Sequence, residues 1–203
     1  GITYDDGPPL WSDKRAMVYE PSDRATVFIG SSRIKYDLDI ETWQKVTGRH
    51  AIQLAILGNS PVPVLEDLGN DPHFRGRLVV DITEGLFFSN SPAVYFEVGD
   101  DIRYYHTRTP SQKASFKLNH ALESQFVFLD ADFLSLNGQL AQLNVPDRPN
   151  VFKDLVFPLD FSTTGFDRQT KMSRNVLSHT SLQNKVKDNW IYKICVFGHA
   201  PPP

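Results

Sequence analysis

Two hydroxyl residues and a distant glycine supply the chemistry for which this sequence can be read. Gly30-Ser31-Ser32-Arg33 directly follows the apolar, β-branched run Thr26-Val27-Phe28-Ile29. A serine presented at the end of a buried strand is a candidate nucleophile for acyl transfer. That reaction needs a hydroxyl and backbone N–H donors aimed at the developing oxyanion. Gly58-Asn59-Ser60 ends a second apolar run, Ala51 to Leu57, and Thr83-Glu84-Gly85 ends a third that starts at Arg77. Small residues also end buried strands because loops need turns, so three such ends in succession carry more weight than any one. Arg33 reads in two ways, as a binder of an acidic substrate or as a surface residue paired with Asp81 or Glu84. The carboxylates at 37, 39 and 41 suit a helix start rather than a metal site.

Periodicity gives the elements that must hold these residues. A first strand covers about 25–30, and a helix follows over 39–47 with Asp39 as its N-cap. Ile40, Trp43 and Val46 are its expected inward face, and Gly48 stops it. A buried strand over 51–57, a short helix to about Gly69 (Val62, Leu65 and Leu68 inward) and a strand over 77–83 complete the series. This alternation predicts right-handed βαβ units and a parallel sheet, with the three polar ends on one edge. In open α/β sheets that edge collects ligands.

The flanking segments read differently. Residues 1–24, rich in Pro, Asp and Gly, predict an extended arm packed by Trp11 and Tyr19. Residues 86–150 read as a helical insertion, with helices near 111–123 and 126–143, that roofs the strand ends or makes a homodimer contact. Its aromatics between Phe87 and Tyr105 suit an acyl- or sugar-binding wall or simple packing. Residues 151–179 read as a loop carrying Arg168, Lys171 and Arg174. A helix over 180–189 leads to a fourth strand, Ile191 to Phe197, which ends at Gly198-His199. The whole chain, 1–203, reads as one domain.

Composition narrows the function. At 203 residues and 40% hydrophobic, the chain can bury a sizeable core. A net charge of −3 gives no attraction to nucleic acid or anionic membranes. One cysteine, Cys195, excludes an internal disulfide framework and a cysteine-rich zinc site. No metal or cofactor is expected. No run approaches the ~20 apolar residues of a membrane span. Gly1 stands where an initiator methionine would, as in a tagged or trimmed chain, so a leader or membrane anchor can lie outside the sequence.

The strand-end pattern resembles the SGNH (GDSL-like) hydrolases, in a divergent branch associated with the bacterial cell envelope. Phe28-Ile29-Gly30-Ser31-Ser32-Arg33 is similar to the family's first block, which places Ser32 at the nucleophile and Ser31 where many members carry aspartate. Leu54-Ala55-Ile56-Leu57-Gly58-Asn59-Ser60 is similar to the second block, whose glycine N–H contributes to the oxyanion hole; this falls on Gly58. The resemblance covers about residues 22–88. It implies a flavodoxin-like three-layer αβα sandwich, no cofactor, a small-molecule or glycan ester as substrate, and an envelope or periplasmic location, with the cytoplasm left open.

The departures bear on activity. The family's third-block asparagine is absent after the third strand, where Glu84 or Asn59 could supply polar lining. Gly69-Asn70-Asp71 contains similar letters but precedes that strand and reads as a turn. No Asp-x-x-His occurs in the chain. His199 is then the histidine nearest the presumed site, as lining or base, unless the acid–base pair lies beyond Pro203 together with a C-terminal strand. Three readings follow: a serine esterase or O-acyltransferase, a catalytically inactive binding or assembly module of the same fold, and a nucleotide- or flavin-binding flavodoxin-like domain.

Overall fold

Ala25–Ile29 is the central strand, β1, and all five of its residues are buried. In the computed structural model, which describes residues 3–123 and 161–198, β1 pairs in parallel with β2 (His50–Gln53) on one side and β3 (Arg77–Val80) on the other. The sheet order is therefore β2-β1-β3. Two bonds carry the β2 side past its last paired residue: Leu54 N–H donates to Phe28 O at 2.8 Å and Ile56 N–H to Gly30 O at 3.3 Å. Strand β3 is shorter than the expected 77–83.

The two β1 faces are covered differently. Ala25, Val27 and Ile29 join Ile52, Leu54 and Ile56 in the main core. There they meet Trp11 of α1 (Pro8–Arg15), Val64 and Leu68 of α4 (Val62–Gly69) and Val98 of α6 (Phe96–Thr107). On the other face Phe28 packs edge-on against Trp43, centroids 4.9 Å apart. Trp43 belongs to α3 (Ile40–Thr47), which follows the short α2 (Ser32–Asp37). The β1–β2 connection thus uses one face and the β2–β3 connection the other, as a single handedness demands when the chain reverses direction across β1. The architecture is α/β with a three-stranded parallel sheet, compatible with a flavodoxin-like sandwich.

Helix α3 forms as its caps dictate: the Asp39 carboxylate accepts the Thr42 N–H at 2.8 Å, and Gly48 ends it. Ile40 and Trp43 face inward, but Val46 is exposed, because eight residues present only a narrow inward stripe.

Several expectations are corrected. Residues 8–19 are not extended but form α1 and a 3-10 turn, Ala16–Tyr19. Pro8 and Pro9 occupy the first turn of α1, where proline's missing N–H costs nothing. Trp11, fully buried, donates its indole N–H to Leu54 O at 3.1 Å. Helix α6 is a core element and not an appended roof, with Ile102 and Tyr105 packing beside buried Val98. After the short α5 (Glu84–Phe87) and α6, helix α7 (Pro110–Glu123) falls where expected, whereas the helix predicted over 126–143 lies outside the described residues. The segment read as a loop over 151–179 contains an antiparallel hairpin, β4 (Ser162–Thr164) and β5 (Thr170–Met172), followed by α8 (Arg174–Ser178). The fourth strand does not exist: Thr180–Gly198 is one helix, α9. No helix among the described residues is long and apolar enough to cross a membrane.

Candidate active site

The C-terminal edge of the sheet opens into a cleft of about 720 Å³. Its floor holds Ser32, the first residue of α2, and Gly58, in the turn after β2. Its lining includes the N-terminal segment with Tyr4 and Asp6, Ser162 of β4 and Trp190 of α9. Ser32 is exposed to the cleft, and no described residue accepts from its backbone N–H or that of Gly58. Gly58 has φ +67°, a left-handed conformation that other residues adopt only with strain.

Gly30 sets the distance between the turn at Ser32 and the end of β3. A Cβ there would lie 2.6 Å from Ile34 Cγ2, 2.8 Å from Asp81 Cβ and 3.2 Å from the Asp81 carbonyl oxygen. The next residue, Ser31, is fully buried and its hydroxyl has no partner among the described residues. Ser31 therefore lies beneath the site and not in it.

The other expected site residues are dispersed. Asn59 is buried and holds the turn together: its amide donates to Leu57 O (2.9 Å) and Glu97 (3.1 Å), and its carbonyl accepts the Val98 N–H (3.2 Å). Arg33 pairs with Asp81 at 3.1 Å and donates to Ile82 O, so its side chain is committed to the β3 loop. Glu84 is exposed at the start of α5 and forms no ion pair with a described residue. His199 lies outside the described residues, and the strand that was to carry it is replaced by α9.

The described histidines are engaged elsewhere. His50 contacts Glu20 at 3.0 Å, His106 contacts Asp67 at 2.6 Å, and His73 lies beside Asp71. His120 stacks on Phe166 at 3.7 Å, and His179 contacts Ser178 and Asn175. None of them lines the Ser32 cleft. Asp71, within Gly69-Asn70-Asp71, accepts from the buried Arg15 guanidinium (2.9 Å) and from Tyr19 (2.7 Å). That letter match is a structural staple.

A buried ionic cluster behind the cleft was not foreseen. Arg168, at the β4–β5 turn, donates through Nε to Asp6 at 2.5 Å and through Nη2 at 3.2 Å. Its Nη1 reaches Gln53 O (3.0 Å), and Nη2 also reaches Ala55 O (3.1 Å). Lys35 of α2, fully buried, pairs with the same Asp6. Glu97 and Asp101 of α6 contribute the remaining charge, and Asp101, 2% exposed, has an oxygen without a described partner. No single motif encodes this cluster; of its members only Arg168 stood out in the sequence, as one of three basic residues in a segment read as a loop. Among the described residues no group of acidic, histidine or cysteine side chains could hold a metal ion.

The cluster makes stability depend on pH in a defined way. Burial, more than any neighbouring charge, pushes the Asp101 carboxyl up to about 7. The folded state therefore binds more protons than the unfolded chain between about pH 4 and pH 7, and stability falls as pH rises through that window. Lys35 acts oppositely: burial first, then the Arg168 charge, lowers its ammonium to about 8, so stability recovers as pH climbs above that value. The expected profile has a minimum between pH 7 and 8. Asp101→Asn should flatten the acidic arm, stabilising the protein by about 2 kcal/mol at pH 8 and by little at pH 5. Urea unfolding at the two pH values checks this, and an equal effect at both would refute it.

No known protein-family model, curated protein or solved structure matches the chain.

Proposed function

We propose that the chain is an SGNH-like serine esterase or O-acyltransferase, acting on an acyl or acetyl ester, with an envelope glycan as the acceptor class that the resemblance suggests. One observation carries the reading: Ser32 and Gly58 share one cleft at the strand ends, each with a backbone N–H that no described residue uses. Ser32 Oγ attacks the ester carbonyl and its proton passes to a base. The Ser32 and Gly58 N–H groups hold the oxyanion. Collapse expels the alcohol with that proton, and water or an acceptor hydroxyl then releases the acyl group from Ser32. The base has to come from outside the described lining, and His199 is this sequence's candidate. A fluorophosphonate probe should label the protein, and Ser32→Ala should abolish labelling. Equal labelling of both would remove Ser32 as nucleophile.

A second reading, a binding or assembly module that has lost the chemistry, draws on the absence of histidine from the described lining of the cleft. It expects no labelling of either protein, but retention of ligand in the cleft.

A further inference from the structure

Lys35 and Arg168 are two cations, 0% and 1% exposed, that converge on a single carboxylate. That carboxylate, Asp6, belongs to the N-terminal segment and lines the cleft. Arg168 is engaged through Nε and both terminal nitrogens, with four of its five N–H donors bonded. Lys35 is less so. Among the described residues its ammonium donates to Asp6 alone, which leaves two of three N–H donors without an acceptor. A buried ammonium is costly unless its donors are satisfied, and an entering carboxylate satisfies them with charge-assisted bonds. Glu97 and Asp101 face the same cations from α6, so the cluster offers no surplus positive charge for a dianion.

The segment that bears Asp6 is attached to the hairpin at separate points. Tyr4 N–H donates to Thr164 O at 2.9 Å and Thr164 N–H to Thr3 Oγ1 at 3.1 Å, and the Tyr4 ring meets Phe166 edge-on at 5.6 Å; these with the Asp6 pairs are its described ties to the hairpin. We propose that Lys35 and Arg168 form a binding site for the carboxylate of a ligand entering through the cleft, and that Asp6 fills this site as an internal ligand. Ligand and Asp6 compete. The carboxylate-bearing ligand displaces the N-terminal segment and opens the cleft at that wall. The site does not require Ser32 to be a nucleophile, so its test reads binding and not turnover.

Asp6→Asn keeps the size of the side chain and one acceptor oxygen, but replaces the other oxygen with an NH2 donor and removes the competing charge. Thermal unfolding of this variant in sodium acetate, against sodium chloride at equal ionic strength, should show a saturable stabilisation. Acetate should bind it about tenfold more tightly than the wild-type protein, in which the site is mostly filled. Adding Lys35→Met should remove the response. Equal midpoints in acetate and chloride would overturn the proposal. If Asp6→Asn fails to fold, hydrogen exchange at the Tyr4 amide of the wild-type protein decides: faster exchange in acetate than in chloride supports displacement, and identical exchange overturns it.

Discussion

Replacing Arg168 with methionine is expected to lower the free energy of unfolding by about 3–5 kcal/mol, the usual cost of breaking one partner out of a buried ion pair. The side chain is 1% exposed, and four of its five N–H donors are bonded to described residues. Methionine fills similar space but leaves the Gln53 and Ala55 carbonyls without their described donor and removes half of the positive charge around Asp6. Position 168 also has φ +64°, and methionine gains nothing there because it inherits the same strained backbone. Arg168→Lys should recover only part of the loss, since a lysine ammonium cannot fork between a carboxylate and two carbonyls. Denaturant titration followed by circular dichroism measures both variants. A loss below about 1 kcal/mol for the methionine variant would show that water replaces the clamp at no cost.

Gly30→Ala is expected to cost about 2–4 kcal/mol, from overpacking in a filled interior together with a backbone angle that disfavours a side chain. The added methyl would press on Ile34 from one side and on Asp81, the residue after β3, from the other. Relief requires α2 to move away from β3, which carries Ser32 out of its place in the cleft it shares with Gly58. The variant should therefore lose fluorophosphonate labelling as well as stability, where the wild-type protein is labelled. Thermal unfolding with parallel labelling separates the two effects. An unchanged midpoint would mean that Ile34 rotates aside without strain.

The parts of this fold that could be read from sequence were those with local causes. Helix α3 was legible because Asp39 and Gly48 cap it within its own turns. Strand β1 was legible because it is a continuous buried run between breakers. The strand-end positions of Ser32 and Gly58 were legible for the same reason: both follow main-chain breaks after buried runs. The failures have physical reasons too. Ile191 to Phe197 is an apolar run too short to choose between strand and helix by periodicity, and no breaker separates it from the helix that starts at Thr180. Pro8-Pro9 reads as extended chain although proline is equally suited to a helix's first turn. The ionic cluster was invisible because Asp6 and Arg168 are 162 residues apart, and nothing near either one announces the other.

That separation also fixes an order of assembly. Residues 25–80 contain all three parallel strands and most of the core they bury, so this unit can collapse on contacts of modest sequence distance. The cleft cannot. Its N-terminal wall, synthesised first, waits for the hairpin at 162–172, synthesised more than 150 residues later, before Asp6 meets Arg168 and Tyr4 meets Thr164. Closing so long a loop comes late because its entropy is spent before its contacts reward it. On the ribosome, the sheet should be in place while Lys35 is still unpaired, and the site becomes a site only when the far end of the chain returns to the beginning.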